Sequence, residues 1–202
     1  MNLKTQAAEL TRRKILDTCI QILGTEGFTA LTVGKLSKQA GISKGALYHH
    51  FASLHEVLLA VLTDLIETYG AHQELQGCET LAAFFQSTGD NLFNLLENHP
   101  TIARAMQAFM SQAVFDNQAQ APILALWQDN LERYQVIVAQ LAPAIPQATL
   151  TEVIYMMDTF ICGTLGQWFV CNNDQMLRAS WQRFSSMMIV SLNSAKTIPG
   201  NE

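Results

Sequence analysis

The sequence predicts an all-α protein of about nine helices, and two observations support that prediction. Apolar side chains recur every three to four residues through almost the whole chain of 202 residues, which is the spacing of one face of an α-helix. No run of residues alternates apolar and polar side chains between Asn-Gly or Asp-Gly turns, as the strands of a hairpin do. With 49% hydrophobic residues, the chain can bury a core in one or two domains.

The first predicted helix covers residues 7–25. Ile15, Cys19 and Leu23 recur on one of its faces at the spacing of an amphipathic helix. Gly27 follows the last periodic residue and is suited to a left-handed C-terminal cap, because glycine adopts a positive φ without steric cost.

Two short helices and a longer one are predicted next. Thr32 is expected to cap a helix that ends at residue 39, Gly41 to form a tight turn, and Ser43 to cap a helix that ends at residue 50. The segment Ser53-Leu54-His55-Glu56 is a capping box that opens a fourth helix. Two helices of about seven residues around a glycine turn are typical of a helix-turn-helix, although an ordinary helical hairpin has the same shape.

Longer helices are predicted for the rest of the chain. The pattern places them near residues 79–98, 100–116, 121–141, 149–172 and 174–194. Pro100 and Pro122 are expected in first helical turns, where a proline is tolerated.

Charge is distributed unevenly along the chain. Residues 1–55 hold seven basic and three acidic side chains, a formal balance of +4, whereas residues 56–202 have a balance of −9. A polyanion is attracted to the first region and repelled by the second. The overall net charge of −5 therefore does not exclude nucleic acid as a partner.

A family resemblance rests on the segment 32–51. It contains Gly41-Ile42-Ser43, then Leu47-Tyr48 and Phe51, and it resembles the DNA-binding signature of the TetR family of bacterial transcriptional regulators. The resemblance covers about residues 10–62, and the remainder matches that family only in being helical and of suitable length.

The resemblance implies a fold and a function. It implies a three-helix helix-turn-helix DNA-binding domain over residues 1–52 and a helical ligand-binding and dimerisation domain over residues 53–202. The implied function is a homodimeric, sequence-specific regulator, a repressor that a small apolar or cationic effector releases from a palindromic operator in double-stranded DNA. The alternative is a DNA-bound factor whose second domain recruits a protein partner.

The candidate DNA-binding residues combine small or polar side chains at the two short helices with nearby donors to phosphate. They are Thr32, Lys35, Ser43, Lys44, Gly45, Ala46, Tyr48, His49, His50 and His55. Leu47 and Phe51 are expected to point into the core instead. His55 is included because the family usually has a phosphate-binding lysine where this chain has Leu54.

The resemblance also implies an effector pocket in the second region, which is rich in aromatic residues and methionine. The candidate lining residues are Phe85, Phe93, Met106, Phe109, Met110, Trp127, Tyr155, Asp158 and Cys162. Asp158 stands within an apolar run, and a buried carboxylate requires a partner. That partner is predicted to be one of three arginines, Arg133, Arg178 or Arg183, or a cationic ligand.

The homodimer is expected to form through the last two helices. The candidate interface residues are Gly163, Gly166, Trp181, Phe184, Met188 and Leu192. The apolar residues among them recur at helical spacing, and the glycines permit close backbone approach. The alternative is that this stripe packs only within one subunit.

Other classes of function find no support in the sequence. It contains no nucleotide-binding glycine motif, and no set of nucleophile, histidine and acid indicates an enzyme or a cofactor. His49 and His50 are adjacent and diverge on a helix, which disfavours a metal site. The four cysteines read as free thiols, and the chain is expected to be soluble and cytoplasmic.

Overall fold

We describe the fold from a computed structural model. It covers residues 3–69, 75, 77–171 and 173–195, and within these ranges it contains nine α-helices, one 3-10 turn and no strand. The predicted all-α class is therefore confirmed.

The helices agree with the predicted bounds to within about one helical turn. They are α1 (Leu3–Glu26), α2 (Val33–Gln39), α3 (Lys44–His50), α4 (Leu54–Tyr69), α5 (Leu81–Asn98), α6 (Pro100–Ala113), α7 (Asn117–Leu141), α8 (Gln147–Cys171) and α9 (Asp174–Ala195). The prediction for Pro122 was wrong, because α7 begins at Asn117 and the proline lies inside it. Pro100 does lie in the first turn of α6.

Side-chain caps define the starts of the short helices. Thr32 Oγ1 accepts a hydrogen bond from the Lys35 backbone N–H at 3.2 Å, and Ser43 Oγ accepts one from the Ala46 N–H at 3.0 Å. Each cap satisfies one of the N–H groups that a helix start leaves without a partner. Both predicted caps are confirmed.

The capping box of α4 forms with a shift of one residue. Ser53 Oγ accepts from the Glu56 N–H at 3.1 Å, as expected. The Glu56 carboxylate, however, accepts from the N–H of Ala52 at 2.5 Å and not from that of Ser53. Gly27 and Gly41 have positive φ angles of +82° and +62°, which favour glycine. The ψ angle of Gly27 is 177°, so the predicted left-handed cap of α1 was wrong, although the Gly27 N–H does donate to the carbonyl of Leu23.

The described residues form two compact units. The first unit consists of the residues up to Tyr69 together with His99–Leu126, and the second consists of the residues up to Asn98 that follow Tyr69, together with those from Trp127 onward. The predicted domain boundary at residue 52 concerns function and stays a prediction. By packing, α4 and α6 share a core with α1, α2 and α3.

The first unit is built around α1. Ile15, Cys19 and Leu23 are buried in its core, as their spacing predicts. A Cβ atom added at Gly24 would overlap the backbone carbonyl of Thr101, so glycine allows α1 and α6 to approach closely.

The second unit packs α9 against α5 and α8. The Trp181 indole N–H donates to the carbonyl of Phe85 at 3.2 Å, and a Cβ atom at Gly89 would overlap that indole. The Phe160 and Phe184 rings stack with centroids 4.8 Å apart. Among the described helices, α8 alone is long and apolar enough to span a membrane, which is weak evidence because core helices pass the same test.

Candidate nucleic-acid interface and effector region

Helix α3 has a buried face and an exposed face. Leu47 and Phe51 are 0% and 2% exposed, so they anchor the helix in the core of the first unit, as predicted. The exposed candidates are Thr32, Ser43, Lys44, Gly45, Tyr48 and His49, and Lys35, Ala46, His50 and His55 are half-buried. Most of the predicted DNA-binding residues therefore lie where a ligand can reach them.

The surface at the start of α3 has few side-chain atoms, apart from the long cationic side chain of Lys44. Gly34 and Gly45 are both exposed and have no side chain. The Lys44 side chain extends toward α2, because its Cε would lie 3.9 Å from a Cβ atom at Gly34. A backbone can approach a base-pair edge closely here, and Lys44 can reach a guanine or a phosphate.

Lys35 has a partner within the protein. Its Nζ pairs with the Glu26 carboxylate, and the hydrogen bond from Lys35 lowers the pKa of Glu26. In the free protein this pair connects the end of α1 to the start of α2. The predicted phosphate contact of Lys35 stays a prediction, and making it requires the lysine to be shared with Glu26 or released from it.

Two cations of α1 were not assigned from the sequence. Lys14 Nζ would lie 3.4 Å from a Cβ atom at Gly41, so this lysine reaches the turn between α2 and α3. The Arg12 guanidinium lies 5.2 Å from the centroid of the Phe51 ring. The excess of basic residues in this region was visible in the sequence, but the tertiary approach of α1 to the turn was not.

The histidines near α3 lie close together. The His49 and His50 rings are 5.5 Å apart at an interplanar angle of 77°. No group of three or more His, Cys, Asp or Glu side chains in the described part of the chain could hold a metal ion.

The candidate effector residues divide between the two units. Met106 and Phe109 pack in the core of the first unit, and Met110 is 37% exposed. In the second unit, Phe85 contacts Phe184. These residues serve the packing of their own units, so the predicted set is not one cluster.

Another candidate, Phe93, lines a groove between α5 and α9. The groove has a volume of about 360 Å³ and is also lined by Arg178 and Trp181. The Arg178 guanidinium lies 4.3 Å from the centroid of the Phe93 ring, and the Phe93 and Trp168 centroids are 6.0 Å apart.

Four of the candidates, Asp158 among them, lie together in the second unit. The Trp127 indole N–H donates to Asp158 Oδ2 at 3.0 Å, and Cys162 Sγ lies 3.7 Å from the same oxygen. The rings of Trp127 and Tyr155 are 5.9 Å apart in an edge-to-face arrangement. Asp158 is 8% exposed, and Tyr155 is 42% exposed.

The predicted arginine partners of Asp158 are not its partners. Arg133 pairs with Asp129 at 2.7 Å, Arg178 pairs with Glu97, and Arg183 lies along an outer groove of α9. The sequence could not show that each arginine has a different neighbour.

The surroundings of Asp158 shift its pKa. Burial raises its pKa, and the hydrogen bonds from Trp127 and Cys162 oppose that shift. Burial and the Asp158 carboxylate raise the pKa of the Cys162 thiol to about 12, so Cys162 is a neutral donor.

The predicted dimer stripe lies largely inside the second unit. Trp181, Met188 and Leu192 are 4%, 8% and 0% exposed, and Phe184 stacks on Phe160. The contacts of these four residues agree with the alternative, in which the stripe packs within one subunit. Their predicted role between subunits stays a prediction, and three of the four, Trp181, Met188 and Leu192, have little surface left for a partner.

A different face of α9 is open. Met176, Met187 and Val190 are 60%, 60% and 65% exposed. On α8, Gly163 is exposed, and a Cβ atom there would meet nothing within 4 Å. Gly166 is half-buried. Of the predicted interface residues, Gly163 is thus the one whose backbone lies open to a partner.

A family model matches the helix-turn-helix region of the first unit. Residues 15–61 match the family model described as bacterial regulatory proteins, tetR family. The matched segment begins in α1 and ends in α4, so it contains the whole helix-turn-helix.

Two curated relatives and one solved structure extend the comparison. The transcriptional regulator SrpR of Pseudomonas putida is 40% identical over 29% of this chain and 28% of its own. The A-factor receptor protein of Streptomyces griseus is 25% identical over 74% of this chain and 56% of its own. The chain thus spans less than two thirds of either relative.

A solved structure has a similar fold over most of the chain. It is the transcriptional regulator FadR from Bacillus subtilis in complex with stearoyl-CoA, which superposes with a TM-score of 0.73 at 16% identity. The match covers 88% of this chain and 97% of FadR.

Proposed function

Because the helix-turn-helix region of this chain belongs to the TetR family of bacterial regulatory proteins, we propose that the protein is a ligand-responsive transcriptional repressor. It binds a palindromic operator as a homodimer, and an effector releases it. The observation that supports this most directly is the exposed face of α3, whose opposite face is fixed in the core by Leu47 and Phe51.

Base reading is assigned to the start of α3. Lys44 is its exposed cation, and Gly45 leaves room for the backbone to approach a base-pair edge. Thr32, Tyr48 and His49 are exposed around it and supply donors to phosphate oxygens. Lys14, which reaches the turn at Gly41, adds a cation to this surface.

Dimerisation is assigned to the open face of α9. Met176, Met187 and Val190 give this helix an exposed apolar stripe, and a groove beside it is lined by Gln182 and Arg183. A two-fold axis through such a face would repeat the same patch on both subunits. The proposed operator has two half-sites about one turn of DNA apart, one for the recognition helix of each subunit.

Release is proposed to occur by a shift between two populations of the dimer. The effector must bind the form that mismatches the operator more tightly than the form that fits it. We assign transmission of this change to helix α4. The contact of Gly24 with Thr101 supports a second route in the first unit, through α6 to α1.

Selection of binding sites from random double-stranded DNA tests this proposal. Full-length protein is expected to enrich an inverted repeat with half-sites about one helical turn apart, and footprinting is expected to protect both halves. Native mass spectrometry of the complex is expected to show at least two copies of the chain on one site. Failure to enrich any sequence would contradict the proposed function, and enrichment of a single half-site would contradict the dimer.

The same proposal places the protein in the bacterial cytoplasm, where the operator is. SrpR and FadR are both named as transcriptional regulators. That FadR was solved with stearoyl-CoA supports a small-molecule effector for this fold. The chemical class of the effector of this chain has to be inferred from the residues of the chain itself.

A further inference from the structure

The second unit contains a buried carboxylate whose described partners carry no positive charge. Asp158 is 8% exposed. Within the described part of the chain it forms no ion pair, and its hydrogen bonds come from the Trp127 indole and the Cys162 thiol. Both donors are neutral. A carboxylate taken out of water without a cation loses solvation that two neutral donors replace only in part.

The carboxylate also retains unused acceptor capacity. Both hydrogen bonds go to Oδ2, and no described residue donates to Oδ1. Arg133 and Arg178, two arginines of the second unit, are paired with Asp129 and Glu97 and so do not supply a cation. Within the described part of the chain, Asp158 therefore has no positive partner.

One aromatic ring contacts this carboxylate, and a second ring packs against the first. Trp127 directs its N–H to Asp158, and its ring meets that of Tyr155 with centroids 5.9 Å apart. Tyr155 is 42% exposed, whereas Asp158 is nearly covered, so the aromatic pair reaches from the surface of the unit to the carboxylate. The faces of indole and phenol rings attract cations, most strongly where water is excluded.

We propose that Asp158, Trp127 and Tyr155 form a binding site for an organic cation, such as a quaternary or tertiary ammonium group with apolar substituents. This inference rests on the proposed function, and it names the chemical class of the effector. The carboxylate supplies the opposite charge, and the rings cover the apolar surface of the ligand. Binding removes the cost of an uncompensated buried charge, so it stabilises the form of the second unit in which these three groups converge.

A metal ion fits this site poorly. Mg²⁺ and Ca²⁺ require six or more oxygen ligands, and Asp158 is the one carboxylate here. Zn²⁺ binds thiolates, but the pKa of Cys162 is raised to about 12, so its sulfur stays protonated at neutral pH. An anionic ligand is repelled by Asp158. A cation that needs one carboxylate and apolar contact is the class that remains.

Calorimetric titration of the full-length protein tests the site with two probes of the same shape. Phenyltrimethylammonium carries a permanent positive charge, and tert-butylbenzene is its neutral carbon isostere. The wild-type protein is expected to bind the cation at least about tenfold more tightly than the isostere, which is the discrimination expected of a desolvated cation–π and carboxylate site. Equal affinities, or no binding of the cation, would overturn the proposal.

Three variants locate the effect. Asp158→Asn removes the charge and keeps an oxygen for the Trp127 hydrogen bond, so it is expected to fold and to lose the preference for the cation. Trp127→Phe keeps a ring but loses the hydrogen bond, and it is expected to weaken binding of the cation several-fold. Glu152→Gln makes the same charge change at an exposed position of α8 and is expected to leave binding unchanged. An equal loss in the Glu152 and Asp158 variants would overturn the proposal, since it would show only long-range charge.

A parallel measurement on operator DNA separates this inference from the proposed function. If stearoyl-CoA releases the protein from its selected operator and phenyltrimethylammonium does not bind, the repressor proposal stands and the cation site is refuted. If no operator is selected and the cation still binds in a manner that depends on Asp158, the cation site stands and the proposed function is refuted.

Discussion

The two units differ in how they bury charge, although both pair acidic side chains at the surface, as Asp129 and Glu97 of the second unit do with Arg133 and Arg178. In the first unit, acidic side chains are paired at the surface. Arg13 pairs with Asp17 and with Asp64, and Lys35 pairs with Glu26. In the second unit, Asp158 is buried with neutral donors alone. Surface pairs of this kind contribute little energy individually, whereas a buried charge without an opposite charge lowers the stability of the fold.

This difference matches what each unit is proposed to bind. The pairs in the first unit involve Asp17, Asp64 and Glu26, whereas Lys44 and Lys14 lie exposed at the surface proposed to contact a polyanion. In the described part of the second unit, no cation pairs with Asp158. The first unit is thus proposed to present cations to DNA, and the second to bind one positive group at Asp158.

The largest expected effect concerns close packing in the two units. Gly24→Ala places a Cβ atom against the backbone of Thr101, which cannot rotate away, whereas Gly89→Ala meets the Trp181 side chain. Gly24→Ala is expected to lower the free energy of unfolding by about 1–3 kcal/mol, and Gly89→Ala by less. Urea denaturation followed by circular dichroism measures both.

Gly163→Ala is the matched control for these variants. A Cβ atom there meets nothing within 4 Å, and alanine favours a helix over glycine by about 1 kcal/mol. The control is therefore expected to be neutral or stabilising. A Gly24 variant as stable as this control would contradict the close approach of α1 and α6.

The next effect concerns the cationic surface of the first unit. Lys44→Ala is expected to weaken operator binding by about 1–3 kcal/mol and to relax the preference at one base-pair position. Tyr48→Phe removes only a phosphate donor, so it is expected to weaken all sequences alike. Fluorescence anisotropy on the selected operator and on its single-base variants at two salt concentrations distinguishes the two. Uniform weakening by Lys44→Ala would assign that lysine to phosphate.

Much of the first unit could be predicted from sequence because its signals are local. Thr32 and Ser43 cap helices within three residues of themselves, and the positive φ at Gly27 and Gly41 follows from glycine in a turn. The place of Lys14 beside Gly41 could not be predicted, because it depends on how α1 crosses the turn.

The second unit was harder to predict because the helical spacing of apolar residues does not distinguish one kind of contact from another. An apolar stripe on a helix has the same spacing whether it packs within the subunit, against a second subunit or around a ligand. The spacing of Trp181 and Leu192 therefore predicted a dimer contact, although both side chains are buried within the unit. The sequence correctly predicted that Asp158 is a buried carboxylate. Its partner Trp127 lies on another helix, so the spacing of residues along the chain could not predict that contact.

Charge neutralisation of one acid in each unit is expected to have effects of opposite sign. Asp64→Asn breaks the pair with Arg13 at 2.5 Å and is expected to cost about 0.5–1 kcal/mol of stability. Asp158→Asn is expected to be at least as stable as the wild type at pH 7. The pKa of Asp158 is raised in the folded state, so its ionised form lowers stability as pH rises through that pKa.

Denaturation at a series of pH values from about 4, close to the ordinary pKa of an aspartate, up to 8 measures this contrast. The advantage of Asp158→Asn over the wild type is expected to shrink as the pH falls, because the wild-type carboxyl then becomes neutral in the folded state as well. A strong loss of stability in Asp158→Asn at pH 7 would show that a cation within the protein already compensates this carboxylate.

The smallest effect concerns thiol reactivity, which reports burial without changing the protein. Cys171 is exposed, whereas Cys19 is buried and burial raises its pKa to about 12, as it does for Cys162. Since the thiolate is the reactive form, iodoacetamide at pH 8 is expected to label Cys171 first, which peptide mass spectrometry would show. In denaturing urea all cysteines are expected to react alike. Early labelling of Cys162 in the native protein would show that water reaches Asp158 freely, and the charge of that carboxylate would then need no ligand to balance it.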